Sequence, residues 1–517
     1  MIFNLFVVLF FTIALWAWRV VNWVWIRPKN IEKRLRAQGF DGNPYRILYG
    51  DTNDMATMIK EANSKPIKLS DDVLPRVLPL HHHIVTKYGK ACFVWNGPVA
   101  RVVVMEPELI KEVLNNNHIF KKPTPNPLAK FLVCGLNGYE DHKWSKHRKI
   151  INPAFYLEKL RDMIPTMHVS CNELVKKWQS MFADKGSHEI DVWPFFENLT
   201  ADIISRTAFG SNYEQGKKVF LLQKEQAQLI AELSRSVYFP GSRFLPTEKN
   251  KRMKEINREV QDVLRGIIER REEAMRVGEN KNTSNNDMLG ILLDSNSREV
   301  EGNGNRKELG ITIEDVIDEC KLFYFAGQET TSNLLVWTMV MLSIHQNWQT
   351  QAREEVLQVF GKNNPDFDGL NQLKKVNMIL HEVLRLYPPA TTIHRIAREK
   401  IKLGDTTLPA GSVLVLPVLF VHHDKEIWGD DAKEFKPERF AEGVANATKG
   451  RIAAFFPFSL GPRICIGQNF AMVEAKLVLA MILQHFSFQL SPSYQHAPVP
   501  VLTLQPKYGA KIMFTKI

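Results

Sequence analysis

The hydrophobic pattern changes character along the chain. From Ile2 to Trp18 the sequence is almost unbroken apolar, IFNLFVVLFFTIALWAW, and after Arg19 it is apolar again as far as Ile26. A run of that length predicts one membrane-spanning helix, with Arg19 snorkelling and Trp16, Trp18, Trp23 and Trp25 at the interface. No basic residue precedes the run and no small-residue cleavage site follows it, which argues against a cleaved signal peptide. Arg27, Lys29, Lys33, Arg34 and Arg36 crowd the far side, so the positive-inside rule puts the bulk of the chain in the cytosol. Pro28 is expected to end the helix and Gly39 to Pro44 to form a flexible joint. The division that follows is an anchor at 1–27, a linker at 28–44 and one catalytic unit at 45–517.

Beyond the joint, valine and phenylalanine cluster around Asn96 and Gly97, predicting a hairpin that starts near Cys92. Glu158 to Ser236 and Thr247 to Gly278 read as long helical runs, broken by Tyr238, Phe239, Pro240, Gly241 and again by Leu245, Pro246. That aromatic break is either turn chemistry or a segment that dips into a membrane. Gly278 to Asp287 and Asn296 to Gly310 are polar and rich in glycine and asparagine, and predict loops flanking a short helix. Thr312 with Asp315 is a candidate N-cap for a long apolar helix. Lys402 to Leu419 is strand-like around the turn Pro409, Ala410, Gly411, and Gln468 to Leu483 is helical.

With 517 residues and 44% hydrophobic content the chain can bury a large core. Its five cysteines, Cys92, Cys134, Cys171, Cys320 and Cys465, are odd in number and far apart without CxxC spacing, which disfavours a disulfide framework. The +11 charge is spread without a long basic tract, and fits a membrane surface or an acidic protein better than nucleic acid. Asn198, Asn282 and Asn446 open N-x-S/T sequences that a cytosolic orientation leaves silent. His81, His82 and His83 are consecutive and cannot share one helical face, a poor geometry for a metal site.

The stretch with most chemistry is Phe458 to Gly467, FSLGPRICIG. Glycines suit neither helix nor strand, and fit a loop whose backbone passes close to a flat ligand. A thiolate at Cys465 can ligate a metal, with neighbouring amides and the N-terminus of the following helix favouring the anion. The stretch resembles the haem-ligand loop of cytochromes P450, FxxGxRxCxG, at each specified position: Phe458, Gly461, Arg463, Cys465 and Gly467. Other patterns join it. Trp144 and Arg148 lie one helical turn apart in WSKHR, a spacing that by itself fits an ordinary wet face. The resemblance makes them contacts of a haem propionate, and Arg395 another. Ala326 to Thr331, AGQETT, interrupts an apolar helix with a glycine, a carboxylate and hydroxyls. It matches the family's proton-delivery motif, with Glu329 and Thr330 as the acid and alcohol. Glu382 and Arg385, in EVLR, could be a surface ion pair; with Arg439 of PERF they match a structural triad behind the haem loop.

What the resemblance implies is a mostly α fold with a small β-rich part, preceded by a single transmembrane helix. Haem b (iron protoporphyrin IX) would be the cofactor, with Cys465 as the axial iron ligand, and dioxygen the oxidant. The extended similarity, including RPKNIEKRLRAQGFDGNPYR and QNFAMVEAKL, is to a plant branch with secologanin synthase, deoxyloganic acid hydroxylase and oleanane triterpenoid oxidases. That implies a lipophilic terpenoid substrate and a single-pass place in the endoplasmic reticulum membrane. No GxGxxG fingerprint follows a strand, so electrons must come from outside, from NADPH-cytochrome P450 reductase in such a family. A haem-thiolate isomerase or dehydratase working without dioxygen, and a haem-binding sensor, are the alternatives; the intact AGQETT speaks against the first.

Overall fold

The computed structural model describes residues 2–123, 127–182, 186–277, 287–301 and 310–517. The apolar N-terminus forms the helix Ile2–Val21, a π-turn over Asn22–Ile26 and a second helix, Arg27–Arg36. Pro28 therefore does not end the helix. A proline cannot donate to the carbonyl four residues back, and its ring crowds that carbonyl. Here the wider π register, in which the Arg27 N–H reaches Asn22 O, opens the turn. The Val24 carbonyl that Pro28 cannot use accepts from the Tyr45 hydroxyl at 2.5 Å. Phe3–Arg36, 34 residues, is the one helix among the described residues long and apolar enough to cross a membrane. Tyr45 also packs on Trp95, ring centroids 4.7 Å apart, and so ties the end of this helix to the first sheet.

That sheet contains the expected hairpin, β1 (Phe93–Asn96) and β2 (Val99–Val103), with β3 (Phe120–Lys121), β4 (Ile393–Ala397) and β5 (Val413–Leu416). The strand order is β1-β2-β5-β4-β3, with β2 and β5 parallel and the other pairs antiparallel. Lateral neighbours in a sheet point to the same face. The rows Arg101–Val413–Ile396 and Val103–Val415–His394 thus put Arg101 and His394 on one face, and the row Val102–Leu414–Arg395 puts Arg395 on the other.

Glu158 to Ser236 is not one helical run but three helices, Leu157–Ser180, Val192–Phe209 and Tyr213–Ser234. The strand Ser187–Asp191 separates the first two, and Asp191 caps the second by accepting from the Trp193 N–H. Gly210, at φ 59°, closes it with a left-handed turn. Glu248–Val277 is helical as expected, whereas Met288–Glu301 carries helix past Asn296, where the sequence suggests a loop. The rest of the polar loops, Asn282 included, lies outside the described residues.

The core helix, Ile313–Ile344, starts at a full capping box: Thr312 Oγ1 accepts from the Asp315 N–H at 3.2 Å, and Asp315 accepts from the Thr312 N–H at 3.3 Å. It runs through a main core of buried apolar side chains that extends from Leu35 to Phe514. The C-terminal hairpin of Pro498–Pro500 and Leu504–Pro506 folds back onto this helix.

Candidate functional site

The loop Phe458 to Gly467 is closed by the Cys465 N–H, which donates to Phe458 O at 2.9 Å, and leads into the helix Gln468–His485. Phe458 itself packs against the core. Gly461 sits at φ +69°, and a Cβ there would come within 2.6 Å of Leu114 O, so both conformation and space demand glycine. Gly467 differs: among the described residues the one atom a Cβ would meet is Phe155 Cε1, at 4.0 Å, so packing leaves room beside it. Cys465 is the accessible one of five free cysteines, the other four being buried. Yet burial among protein atoms pushes its thiol up, against a Gly467 N–H and the charges of Arg148 and Lys122, which pull it down. Accessible and desolvated at once, it lines an internal cleft and not the outer surface.

Around that thiol the fold gathers positive charge. Arg148, on the helix Asp141–Ile151, donates from Nη1 to Ile464 O at 2.8 Å. The Arg463 guanidinium lies over the Trp144 ring, 4.3 Å from its centroid, and donates from Nη1 to Tyr139 O at 2.9 Å. Its Nη2 is 2.7 Å from a Glu140 carboxylate oxygen in an ion pair. Arg395 is buried and donates to His394 O at 2.9 Å. Lys122 joins them, lowered to about 7 by burial first and then by Arg395 and Arg463. Sequence reasoning passes over Lys122, because a KKP triplet carries no signal until the fold places it beside Arg395.

On the core helix, Phe325, Ala326, Gly327 and Thr330 are part-accessible although most of their neighbours are buried. Thr330 Oγ1 donates to Ala326 O at 2.8 Å, Thr200 Oγ1 to Gln328 O at 3.0 Å, and Asn333 Nδ2 to Glu329 O at 2.8 Å. Side-chain donors thus take up helix carbonyls where the sequence breaks its apolar pattern. Gly327 is small for a packing reason: a Cβ would lie 2.8 Å from Ile204 Cγ1. Glu329 does not hydrogen-bond to Thr330. Its Oε1 accepts instead from Thr503 Oγ1, from Gln505 Nε2 and, at 3.3 Å, from Asn333 Nδ2. Thr503 and Gln505 belong to the C-terminal hairpin, and nothing in their local sequence marks them.

Glu382 and Arg385 are fully buried, so they are no surface pair. Arg385 donates from Nε and Nη2 to the two Glu382 oxygens at 2.8 and 2.7 Å, from Nη1 to His422 O and Ala432 O, and from Nη2 to Glu434 O. Arg439 Nε is 3.5 Å from Glu382, and its guanidinium binds Asp431 at 2.7 Å. His422, which accepts from the Phe456 N–H at 3.1 Å, links this knot to the segment that enters the cysteine loop.

These residues fit a haem. An accessible desolvated thiol, a glycine beside it with little to meet and guanidinium groups that Glu140 alone among the described residues balances suit a flat, metal-centred dianion. Residues 78–514 match the family model described as Cytochrome P450. The chain is 59% identical over 501 residues to Cytochrome P450 CYP72A219 of Panax ginseng, covering 97% of this chain and 96% of that one. It is 52% identical over 511 residues to secologanin synthase 2 of Catharanthus roseus, covering 98% and 96%. To 11-oxo-beta-amyrin 30-oxidase of Glycyrrhiza uralensis it is 52% identical over 508 residues, again covering 98% and 96%. With its fold, its cysteine loop and these relatives, the chain belongs to the cytochrome P450 family, as a monooxygenase of the plant clade that includes secologanin synthase and triterpenoid oxidases.

Proposed function

We propose that the protein hydroxylates, or oxidises further, a plant terpenoid of triterpenoid or iridoid type, using dioxygen and electrons passed from NADPH by NADPH-cytochrome P450 reductase. The names of the relatives support the substrate class. The observation that carries the chemistry is the accessible Cys465 facing Arg148 and Lys122. Haem b, when bound, supplies dioxygen reduction and transfer of one oxygen atom to an unactivated C–H bond. Cys465 would hold the iron from one side as thiolate, with Phe458 packing the loop behind it. Trp144, Arg148, Arg395 and Arg463 would hold and orient the carboxylates, Trp144 through its stack on Arg463. Thr330 and Glu329 would hold and move protons, and the triad Glu382, Arg385 and Arg439 would keep the loop in place. The basic residues after Ile26 support a cytosolic catalytic unit on the endoplasmic reticulum, and exposed Phe239, Phe244 and Leu245 support shallow contact of that unit with lipid.

The test is the ligand. Cys465→Ser is expected to abolish the strongly red-shifted absorption of the ferrous carbonyl complex, while Cys320→Ser, at a buried thiol, keeps it. A red-shifted band in Cys465→Ser would remove the central assignment. Turnover of a terpenoid panel in microsomes, with reductase and NADPH, then tests the substrate class.

A further inference from the structure

The sheet face opposite Arg395 holds a second polar cluster that the proposed chemistry does not use. Arg101 and His394 share this face. His81, on the helix Pro79–Tyr88, is close enough to feel the charge of Arg101 and to affect His394. Arg101 Nε and His81 Nε2 are buried and have no hydrogen-bond partner among the described residues. With the Asn96 amide turned so that its oxygen faces the guanidinium, Arg101 Nη2 and Nη1 donate to it at 2.5 and 3.3 Å. Thr392 Oγ1 lies 3.4 Å from His394 Nε2.

Among the described residues no carboxylate balances this charge. Burial alone moves Arg101, down to about 10. His81 is lowered to about 4 and His394 to about 3, by burial first and by Arg101 next, so both imidazoles are neutral at physiological pH. A buried guanidinium with an unused donor and no counter-charge is costly unless an anion completes it. Neutral imidazoles and a threonine hydroxyl add further donors for anionic oxygens.

The cluster also has a direction of approach. Asn96 bridges to Gly50, and a Cβ at Gly97 would meet Val237 Cγ1 at 3.3 Å, next to the Tyr238, Phe239 break. Ile47, Tyr49, Val99 and Phe239 expose apolar side chains here, and Tyr45 fastens the anchor to Trp95 in the same hairpin. The hairpin that carries Asn96 and Arg101 thus stands at the end of the molecule to which the membrane helix attaches.

We propose that Arg101, with Asn96, His81 and His394, binds the carboxylate of a lipophilic acid arriving from the membrane side. The proposal deepens the terpenoid reading and rests on it for the carbon skeleton only, since a fatty acid presents the same carboxylate. Full-length haem-loaded enzyme in detergent would be titrated calorimetrically with a pentacyclic triterpenoid monocarboxylic acid, octadecanoic acid and the methyl ester of each. The parent is expected to bind at least one acid about tenfold or more tightly than its ester. Arg101→Gln should erase that preference while leaving ester affinity within about twofold, and Arg101→Lys should keep part of it. Whichever acid carries the preference identifies the source, and a preference for octadecanoic acid alone keeps the site while removing the terpenoid skeleton. Absence of any acid preference in the parent, or a preference that survives Arg101→Gln, overturns the site, whatever terpenoid turnover shows. Should Arg101→Gln not load haem, His394→Gln and Asn96→Ala read the same ratio, and an unchanged ratio in both overturns it equally.

Discussion

Glu329 is held by Thr503, Gln505 and Asn333, on a side of the helix away from the Thr330 hydroxyl. If it delivers protons, its carboxylate must be placed by those donors, and Thr503 and Gln505 become positioning residues for the reaction. Loss of a proton-transferring group costs about 10²–10⁴-fold in rate. Glu329→Gln and Thr330→Val are expected toward the low end of that range, because water substitutes in part. Thr503→Val with Gln505→Met leaves the carboxylate in place with Asn333 as its remaining donor, and should fall less. The quantity to measure is product per NADPH, with hydrogen peroxide rising as it drops. Haem content and substrate-induced spectral shifts should stay near the parent, and an unchanged ratio in the double variant would leave the tether purely structural.

Among the elements, the helix Lys374–Leu386 owes its place to Arg385, whose guanidinium spends every nitrogen on Glu382 and on carbonyls of the segment before the cysteine loop. A lysine ammonium has three donors at a point and cannot span that planar set. Breaking a buried ion pair from one side typically costs about 3–5 kcal/mol. Arg385→Lys is therefore expected to cut the yield of haem-loaded protein severely, read as the carbonyl-complex absorption per milligram of chain. Glu382→Gln should do so too, whereas Thr312→Ala at the exposed cap should cost only about 1 kcal/mol and keep the spectrum. Equal, mild effects of all three would contradict the burial of the knot.

At the scale of the whole molecule, buried neutral histidines set the acid limit. His81, His423 and His496 are lowered to about 4 and His394 to about 3, with burial the leading cause in each. Unfolded, each takes up a proton near the ordinary imidazole value of about 6.5. Between about 6.5 and about 4 the unfolded chain binds more protons than the folded one, so their contribution is complete above about 6.5 and is lost as pH falls. Each such histidine adds up to about 1.4 kcal/mol per pH unit to the slope. The temperature of half-inactivation should therefore decline below about pH 6.5, and His423→Gln should decline less steeply than the parent. Glu474 acts in the opposite sense: buried without a hydrogen-bond partner among the described residues and raised well above the usual carboxylate range, it is held protonated by the fold. Glu474→Gln should make the acid loss steeper, and a shallower curve would reverse that assignment.

The glycine-flanked loop around Cys465, the helical spacing of Trp144 and Arg148, the capping box at Thr312 and the β1–β2 hairpin were legible in the sequence, because each is a local pattern in which neighbouring residues carry their own physical reason. The apolar run at the N-terminus was equally plain, but where its helix stops was not. Pro28 by its own chemistry breaks a helix, and only Tyr45, brought back by the fold, satisfies the carbonyl that lets the helix continue to Arg36. Lys122 beside Arg395 and Arg463, Thr503 and Gln505 on Glu329, Ile204 against Gly327, and the unbalanced Arg101 between His81 and His394 were decided by tertiary structure alone. In each case partners far apart in sequence meet across the core or a strand register, and no local pattern records the meeting. Burial, which turns the pair Glu382 and Arg385 from an ordinary exposed contact into a fully desolvated knot, is likewise a property of the packed chain and not of the spacing between two residues.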